Sequence, residues 1–177
     1  MQRILVIGSP GAGKSTVARR LHRATGLPLI HLDQLYWKPN WTETTDKTAW
    51  RATVERALSG DRWIADGNYS GTLELRLARC DTVIFLDVPR LVCAWRVLQR
   101  TLRYRHRTRP DMTENCPEKL DLSFLKWTWD YPTRSKPEVE ETVRRFAGEK
   151  TIIRLKSSRE TEKFFAEYLP NSVLKSV

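Results

Sequence analysis

The chain is poor in cysteine: three in 177 residues, Cys80, Cys93 and Cys116. Their spacing pairs with nothing, and no histidine stands near enough to complete a zinc pattern, which argues against a disulfide framework or a zinc module. Long apolar runs are missing too. The longest, such as Val83–Leu86 and Leu91–Trp95, stop at about five residues, far short of a membrane span. Near the start only Ile4–Ile7 intervene between Arg3 and Gly8-Ser9-Pro10, shorter than the apolar core of a secretory leader. Repeats, low-complexity tracts and Pro- or Gly-rich linkers are absent, so 1–177 is expected to be one domain. Acids are the scarcer charge, 21 against 31 Lys and Arg, a formal net charge of +10. These absences together describe a reduced, cytoplasmic protein with an anionic partner.

What is present is an alternation of strands and helices. Ile4–Ile7 is apolar without a break, as a strand buried on both faces requires. Further strands are expected at 27–32, 62–65, 82–86 and 151–155. Helices are expected at 14–25, 47–58, 71–79, 91–104, 120–131, 137–146 and 160–168, with fraying from Pro170. Thr45 or Asp46 is a natural N-cap for the second helix. Strands alternating with helices make an α/β domain, a parallel sheet covered on both faces. With the loop described next following the first strand, the expected strand order is 2-3-1-4-5.

Gly8-Ser9-Pro10-Gly11-Ala12-Gly13-Lys14-Ser15-Thr16 fits G-x-x-x-x-G-K-[ST], after a buried strand and at the start of a helix. The glycines permit a wrapped backbone whose N–H groups converge on phosphate oxygens, and the helix adds its positive end. Lys14 supplies a charge at the β/γ-phosphates, Ser15 a hydroxyl for Mg²⁺, and Thr16 a further phosphate contact. The pattern calls for ATP and Mg²⁺. A GTPase would carry Asn-Lys-x-Asp after the fourth strand, where this chain has Phe85-Leu86-Asp87-Val88-Pro89-Arg90.

Phe85–Pro89 followed by Arg96-x-x-x-Arg100 resembles the stretch of adenylate kinases that leads into their lid, and Ile64-Ala65-Asp66-Gly67 resembles the end of their third strand. Over residues 2–165 the chain looks most like the DNA topology modulation proteins within the P-loop nucleotide-kinase group. The matching blocks are Arg3 to Thr16, His31-Leu32-Asp33-x-Leu35-Tyr36-Trp37, Asp66-Gly67-Asn68-Tyr69, Arg107-Thr108-Arg109-Pro110-Asp111, and Arg134. The resemblance implies that Arg96 stacks on the adenine and Arg100 reaches the transferring phosphates. The Thr-Gly-Asp acceptor motif of true adenylate kinases is replaced by His31-Leu32-Asp33.

Asp33 and Asp66 each follow an expected strand, where open parallel sheets place their ligands. Asp66 is read as holding Mg²⁺, and Asp33 as the base or orienting group for an acceptor hydroxyl. Gly67, Asn68 and Tyr69 are read as acceptor contacts, and Asp87 as structural. Seven arginines and no acid lie between Val88 and Pro110. Arg103 to Arg109 and the residues up to 118 read as a short lid, open without an anion, with Arg107 and Arg109 delivered to the transferring group. Residues 33–60 are the expected acceptor segment. There Trp37 and Trp41 suit stacking on a base or sugar; Trp63, Trp95, Trp127 and Trp129 read as packing residues. Arg134 is a further phosphate contact.

The function these residues describe is an ATP-dependent phosphotransferase with a small-molecule acceptor such as a nucleoside or nucleotide. A nucleic-acid-associated ATP-binding protein or polynucleotide kinase stays open as the alternative, favoured by net charge but without a helix-turn-helix, RNP or finger pattern. No membrane partner is expected.

Overall fold

The computed structural model describes residues 1–148 and 150–168; the fraying expected from Pro170 falls outside them. Five parallel strands form the main sheet: β1 (Arg3–Gly8), β2 (Leu29–His31), β3 (Trp63–Asp66), β4 (Thr82–Leu86) and β5 (Thr151–Leu155). Their spatial order is β2-β3-β1-β4-β5, the order expected. β1 lies at the centre, with Val6 beside Asp66 on one flank and Gly8 beside Leu86 on the other.

The unbroken apolar run of β1 is explained by a core on each side of it. Leu5 and Ile7 face one cluster with Ala65, Val83 and Phe85. It is closed by α3 (Lys47–Ala57), α4 (Leu73–Arg79) and α7 (Lys136–Arg145) through Trp50, Val54, Leu77 and Val143. Ile4 and Val6 face the other, with Ile64 and Ile84, closed by α1 (Lys14–Thr25) through Val17, Ala18 and Leu21 and by α8 (Ser158–Tyr168) through Phe164 and Phe165. Asp46 caps α3, its carboxylate accepting from the Thr48 and Ala49 N–H groups. Asp121 caps α6 (Leu122–Arg134) in the same way. No described helix is long and apolar enough to cross a membrane.

Two elements depart from the sequence reading. The second strand is only three residues, and Asp33 lies in a one-turn helix, α2 (Leu32–Tyr36), followed by a small antiparallel ribbon of Trp37–Lys38 with Thr42–Glu43. The tryptophans also divide differently. Trp63 is buried, but Trp95 is 60% exposed, and Trp127 and Trp129 are near 40%. α5 (Arg90–Arg103) faces inward through Cys93, Val97 and Thr101, so Trp95 is turned out. Trp129 lies beneath the Arg90 guanidinium, 4.6 Å from its carbon.

Ile64 sits in β3 between two strands with no exposed surface. Ile64→Ala should cost about 2–5 kcal/mol in urea unfolding with an unchanged m-value, because a cavity opens where the sheet cannot collapse.

Candidate active site

The phosphate loop leaves β1 at Gly8, whose φ of +142° suits glycine alone. A Cβ there would strike the Leu86 carbonyl, and one at Gly11 the Cys93 carbonyl, so the loop rests on the end of β4 and the first turn of α5. Ala12 N–H closes the turn onto Ser9 O at 3.1 Å, while the N–H groups of Gly11, Gly13, Lys14 and Ser15 have no backbone acceptor among the described residues. That concave set of free donors at a helix start fits a polyphosphate. Lys14 Nζ bonds to the carbonyls of Gly8 and Ser9, each at 3.0 Å. Burial pushes its pKa down, opposed by the charges of Asp33 and Asp66. Arg96 Nη1 donates to Ala12 O at 3.2 Å and Nη2 to Ser158 Oγ at 2.9 Å, which holds the guanidinium beside the loop.

The loop opens into a cavity of about 880 Å³. Asp66 and Asp33 both line it, reached from β3 and α2. Asp66 Oδ1 meets His31 Nδ1 at 2.5 Å. Burial opposes a charge on that imidazole, but the Asp66 carboxylate outweighs it and raises the His31 pKa. Asp33 accepts the Tyr69 hydroxyl at 2.8 Å, and burial raises its pKa above the ordinary carboxylate value. Asn68 Oδ1 accepts the Gly8 N–H at 3.2 Å, tying the end of β3 to the phosphate loop. Trp37 and Trp41, edge-to-face at 5.3 Å, form part of the wall together with Phe124 and Trp127.

The arginine-rich segment is folded against the cavity, with Arg109, Asp111, Met112 and Glu118 in its lining. Its own acids explain this. Arg109 is buried, with Nη1 bonded to Asp111 Oδ2 at 2.8 Å and Nε against Glu118; Arg100 Nε lies 3.5 Å from the same Glu118. Asp111 also pairs with Arg19 at 3.6 Å. Burial opposes its ionisation, but Arg109, a hydrogen bond from the Ser15 hydroxyl and Arg19 keep its pKa below the usual carboxylate range. Beyond these pairs, the segment is stitched to residues 34–41. Gln34 Nε2 donates to Pro110 O at 3.0 Å, Thr113 Oγ1 to Trp37 O at 2.6 Å and Trp41 Nε1 to Pro117 O at 3.0 Å.

The structure thus brings together the loop residues, Asp33, Asp66, Gly67, Asn68, Tyr69, Trp37, Arg96, Arg100 and Arg109 around one cavity. Of the loop, Gly8 and Ala12 do not line the cavity, and Arg107 and Arg134 are elsewhere. Arg107 is exposed and does not line the cavity, because the segment turns Arg109 inward and Arg107 outward. Arg134 points to solvent beside Asp130, one helical turn back, at 3.8 Å. Asp87 is structural, paired with Lys136 at 2.6 Å and Arg154 at 2.9 Å. Sequence reasoning missed Glu118, Asp111, Arg19 and His31 as members of the site. The signal available was the return of acids, Asp111, Glu114 and Glu118, within nine residues of an acid-free arginine run.

Glu118 is an internal anion between two arginines. Glu118→Gln should destabilise the ligand-free protein by about 3 kcal/mol, since the buried Arg109 and the part-buried Arg100 lose a counter-charge. Saturating inorganic triphosphate should then raise the melting temperature of the variant more than that of the wild type.

No protein-family model matches the chain, and no curated protein sequence does. Solved structures do match in fold. Shikimate kinase from Acinetobacter baumannii, in complex with shikimate, superposes with a TM-score of 0.62 at 17% identity, over 97% of this chain and 94% of that one. Shikimate kinase from Bacteroides thetaiotaomicron gives 0.52 at 17% identity over 96% and 98%. A putative kinase from Chloroflexus aurantiacus gives 0.52 at 14% identity over 97% and 99%. The likeness is one of fold: a five-stranded parallel sheet, order β2-β3-β1-β4-β5, flanked by helices.

Proposed function

We propose that the chain is a P-loop kinase that transfers the γ-phosphoryl group of ATP to a hydroxyl of a small molecule. The observation that carries this reading is the placement of Asp33, held by the Tyr69 hydroxyl, in the same cavity as Lys14 and the free N–H groups of the phosphate loop. A module that only bound nucleotide would have no use for a buried carboxylate there.

In this mechanism the free loop N–H groups bind and orient the triphosphate, and Lys14 Nζ exchanges the carbonyls of Gly8 and Ser9 for phosphate oxygens. Arg96 lies where a nucleotide's base or ribose would extend from the loop. Ser15 and Asp66 offer hard oxygen donors of the kind Mg²⁺ prefers, with His31 fixing the carboxylate's direction. When bound, Mg²⁺ supplies charge neutralisation between the β- and γ-phosphates. Asp33 accepts the hydrogen bond of the acceptor hydroxyl and aims its oxygen at the γ-phosphorus. The new O–P bond forms as the bond to the β–γ bridging oxygen breaks, ADP leaves with that electron pair, and the hydroxyl proton passes to Asp33. Arg100 and Arg109 stand ready to meet the charge on the moving group once Glu118 yields them. The tryptophan walls suit an acceptor with a planar or apolar body, such as a nucleoside. Three free, buried thiols accord with a reducing compartment such as the cytoplasm.

A second reading draws on Arg105 and Arg107, which are exposed and do not line the cavity. They suit a polyanion outside the cavity, as in a nucleic-acid-associated protein of the DNA topology modulation type or a polynucleotide 5′-kinase. A steep fall of oligonucleotide affinity with salt, lost in a variant lacking these two arginines, would support it over the small-molecule reading.

Transfer from labelled ATP to a panel of nucleosides, nucleotides, sugars and oligonucleotides tests both. Lys14→Ala should lower ATP affinity at least tenfold, a loss of about 1.4 kcal/mol, in a folded protein. Unchanged affinity by calorimetry would overturn the site assignment.

Asp33→Asn should leave ATP affinity nearly intact and lower transfer about 100-fold. Because burial raises the Asp33 pKa, activity should rise with pH through a value above the ordinary carboxylate range, as the group ionises. That acid limb should vanish in the asparagine variant.

A further inference from the structure

Arg76, in α4, has no exposed surface and no carboxylate partner among the described residues. Burial pushes its pKa down to about 9, so the group is still charged at neutral pH. Its charge is met entirely by backbone oxygens. Nη1 donates to Gly67 O at 2.8 Å, Nη2 to Tyr69 O at 2.8 Å and also to Asn68 O, and Nε reaches Thr72 O at 3.3 Å. A planar fork of five donors can hold the three successive carbonyls and Thr72 O at once, whereas an ammonium has only three donors on one atom.

Those carbonyls belong to a segment that would not rest in this shape alone. Gly67 has φ +136°, with its Cα packed so close to Leu32 that a Cβ would come within 2.9 Å of that side chain. Tyr69 has φ +25°, a backbone state a bulky residue seldom adopts. With the three carbonyls turned inward onto one guanidinium, the side chains of the segment are directed the other way. Asn68 then meets the Gly8 N–H of the phosphate loop, and Tyr69 meets Asp33.

We propose that Arg76 is a positioning residue for phosphoryl transfer: by clamping the carbonyls of Gly67, Asn68 and Tyr69 it sets the acceptor carboxylate, through the Tyr69 hydroxyl, at a fixed place relative to the phosphate loop. The proposal rests on the phosphotransferase reading for its kinetic consequence, but its structural content does not. A misplacement of the reacting groups by about 1 Å is enough to lower a rate about 100-fold, and one guanidinium governs both ends of the connection.

Arg76→Ala would leave four carbonyls facing an empty buried space and is expected to unfold in part, so Arg76→Lys, Tyr69→Phe and the double variant are the informative set. The first measurement is the titration of the Asp33 carboxyl by ¹³C NMR in the full chain. If Arg76 acts through Tyr69, both single variants move the Asp33 pKa upward by similar amounts, and the double variant moves it no further. An unmoved Asp33 in a folded Arg76→Lys protein, beside a moved one in Tyr69→Phe, overturns the proposal whatever the protein's activity. The second measurement is Mg²⁺-dependent hydrolysis of ATP. Turnover should fall at least about tenfold in each single variant and no further in the double, with affinity for a non-hydrolysable ATP analogue within about threefold of wild type. Losses that multiply in the double variant would overturn the proposal. If the wild type neither binds nor hydrolyses ATP, the phosphotransferase reading fails, and the NMR comparison alone decides the role of Arg76.

Discussion

The register of β1 against its two neighbours is the constraint on which the cavity depends. Parallel pairing sets Val6 beside Asp66 and Gly8 beside Leu86. A slip of one residue would turn every side chain of β1 to the opposite core and carry the loop away from β3. The two apolar clusters, each taking alternate residues of the same strand, resist that slip. With the register held, the loop's free N–H groups and the carboxylates at the ends of β3 and α2 face one another without any further device. Burial does the rest of the tuning: it lowers the Lys14 pKa and raises that of Asp33, so each group is sensitive to what enters beside it.

Charge in the arginine-rich segment is organised on a different principle. The exposed arginines are solvated, whereas Arg100 and Arg109 are kept inside by Glu118 and Asp111. Two buried cations without carboxylates would be costly, and two carboxylates without cations equally so. The cluster is therefore stable as a set, with Glu118 already occupying the space between the two guanidinium groups. The same Asp111 that steadies Arg109 pairs with Arg19 of α1 at 3.6 Å, so the segment also touches the helix that follows the phosphate loop.

Local patterns in the sequence reached the strands, their order and the phosphate loop because those features are written in consecutive residues. Ile4–Ile7 can only be a doubly buried strand, and Gly8–Thr16 can only be a loop of one kind. Asp33 and Asp66 were legible through strand ends, although the one-turn helix holding Asp33 was not, since five residues carry too little periodicity. What sequence could not show were contacts between distant segments. Nothing local in Leu73–Arg79 says that Arg76 turns back nine residues to grip Gly67. Nothing in an acid-free run says that its counter-charges come from residues 111 and 118. The tryptophans misled for a related reason: hydrophobic character predicts burial, but Trp95 belongs to a helix whose inward face is already filled by Cys93, Val97 and Thr101.

The stitching of residues 110–117 to residues 34–41 has a consequence for the wall of the cavity. Hydrogen bonds from Gln34, Trp41 and Thr113 join the two segments into a single unit. A displacement of residues 110–117 would therefore carry the wall residues Trp37 and Trp41 with it, because Thr113 and Pro117 hold them. The aromatic wall and the buried Arg109 thus form one cassette, alterable without touching the strands that hold the phosphate loop.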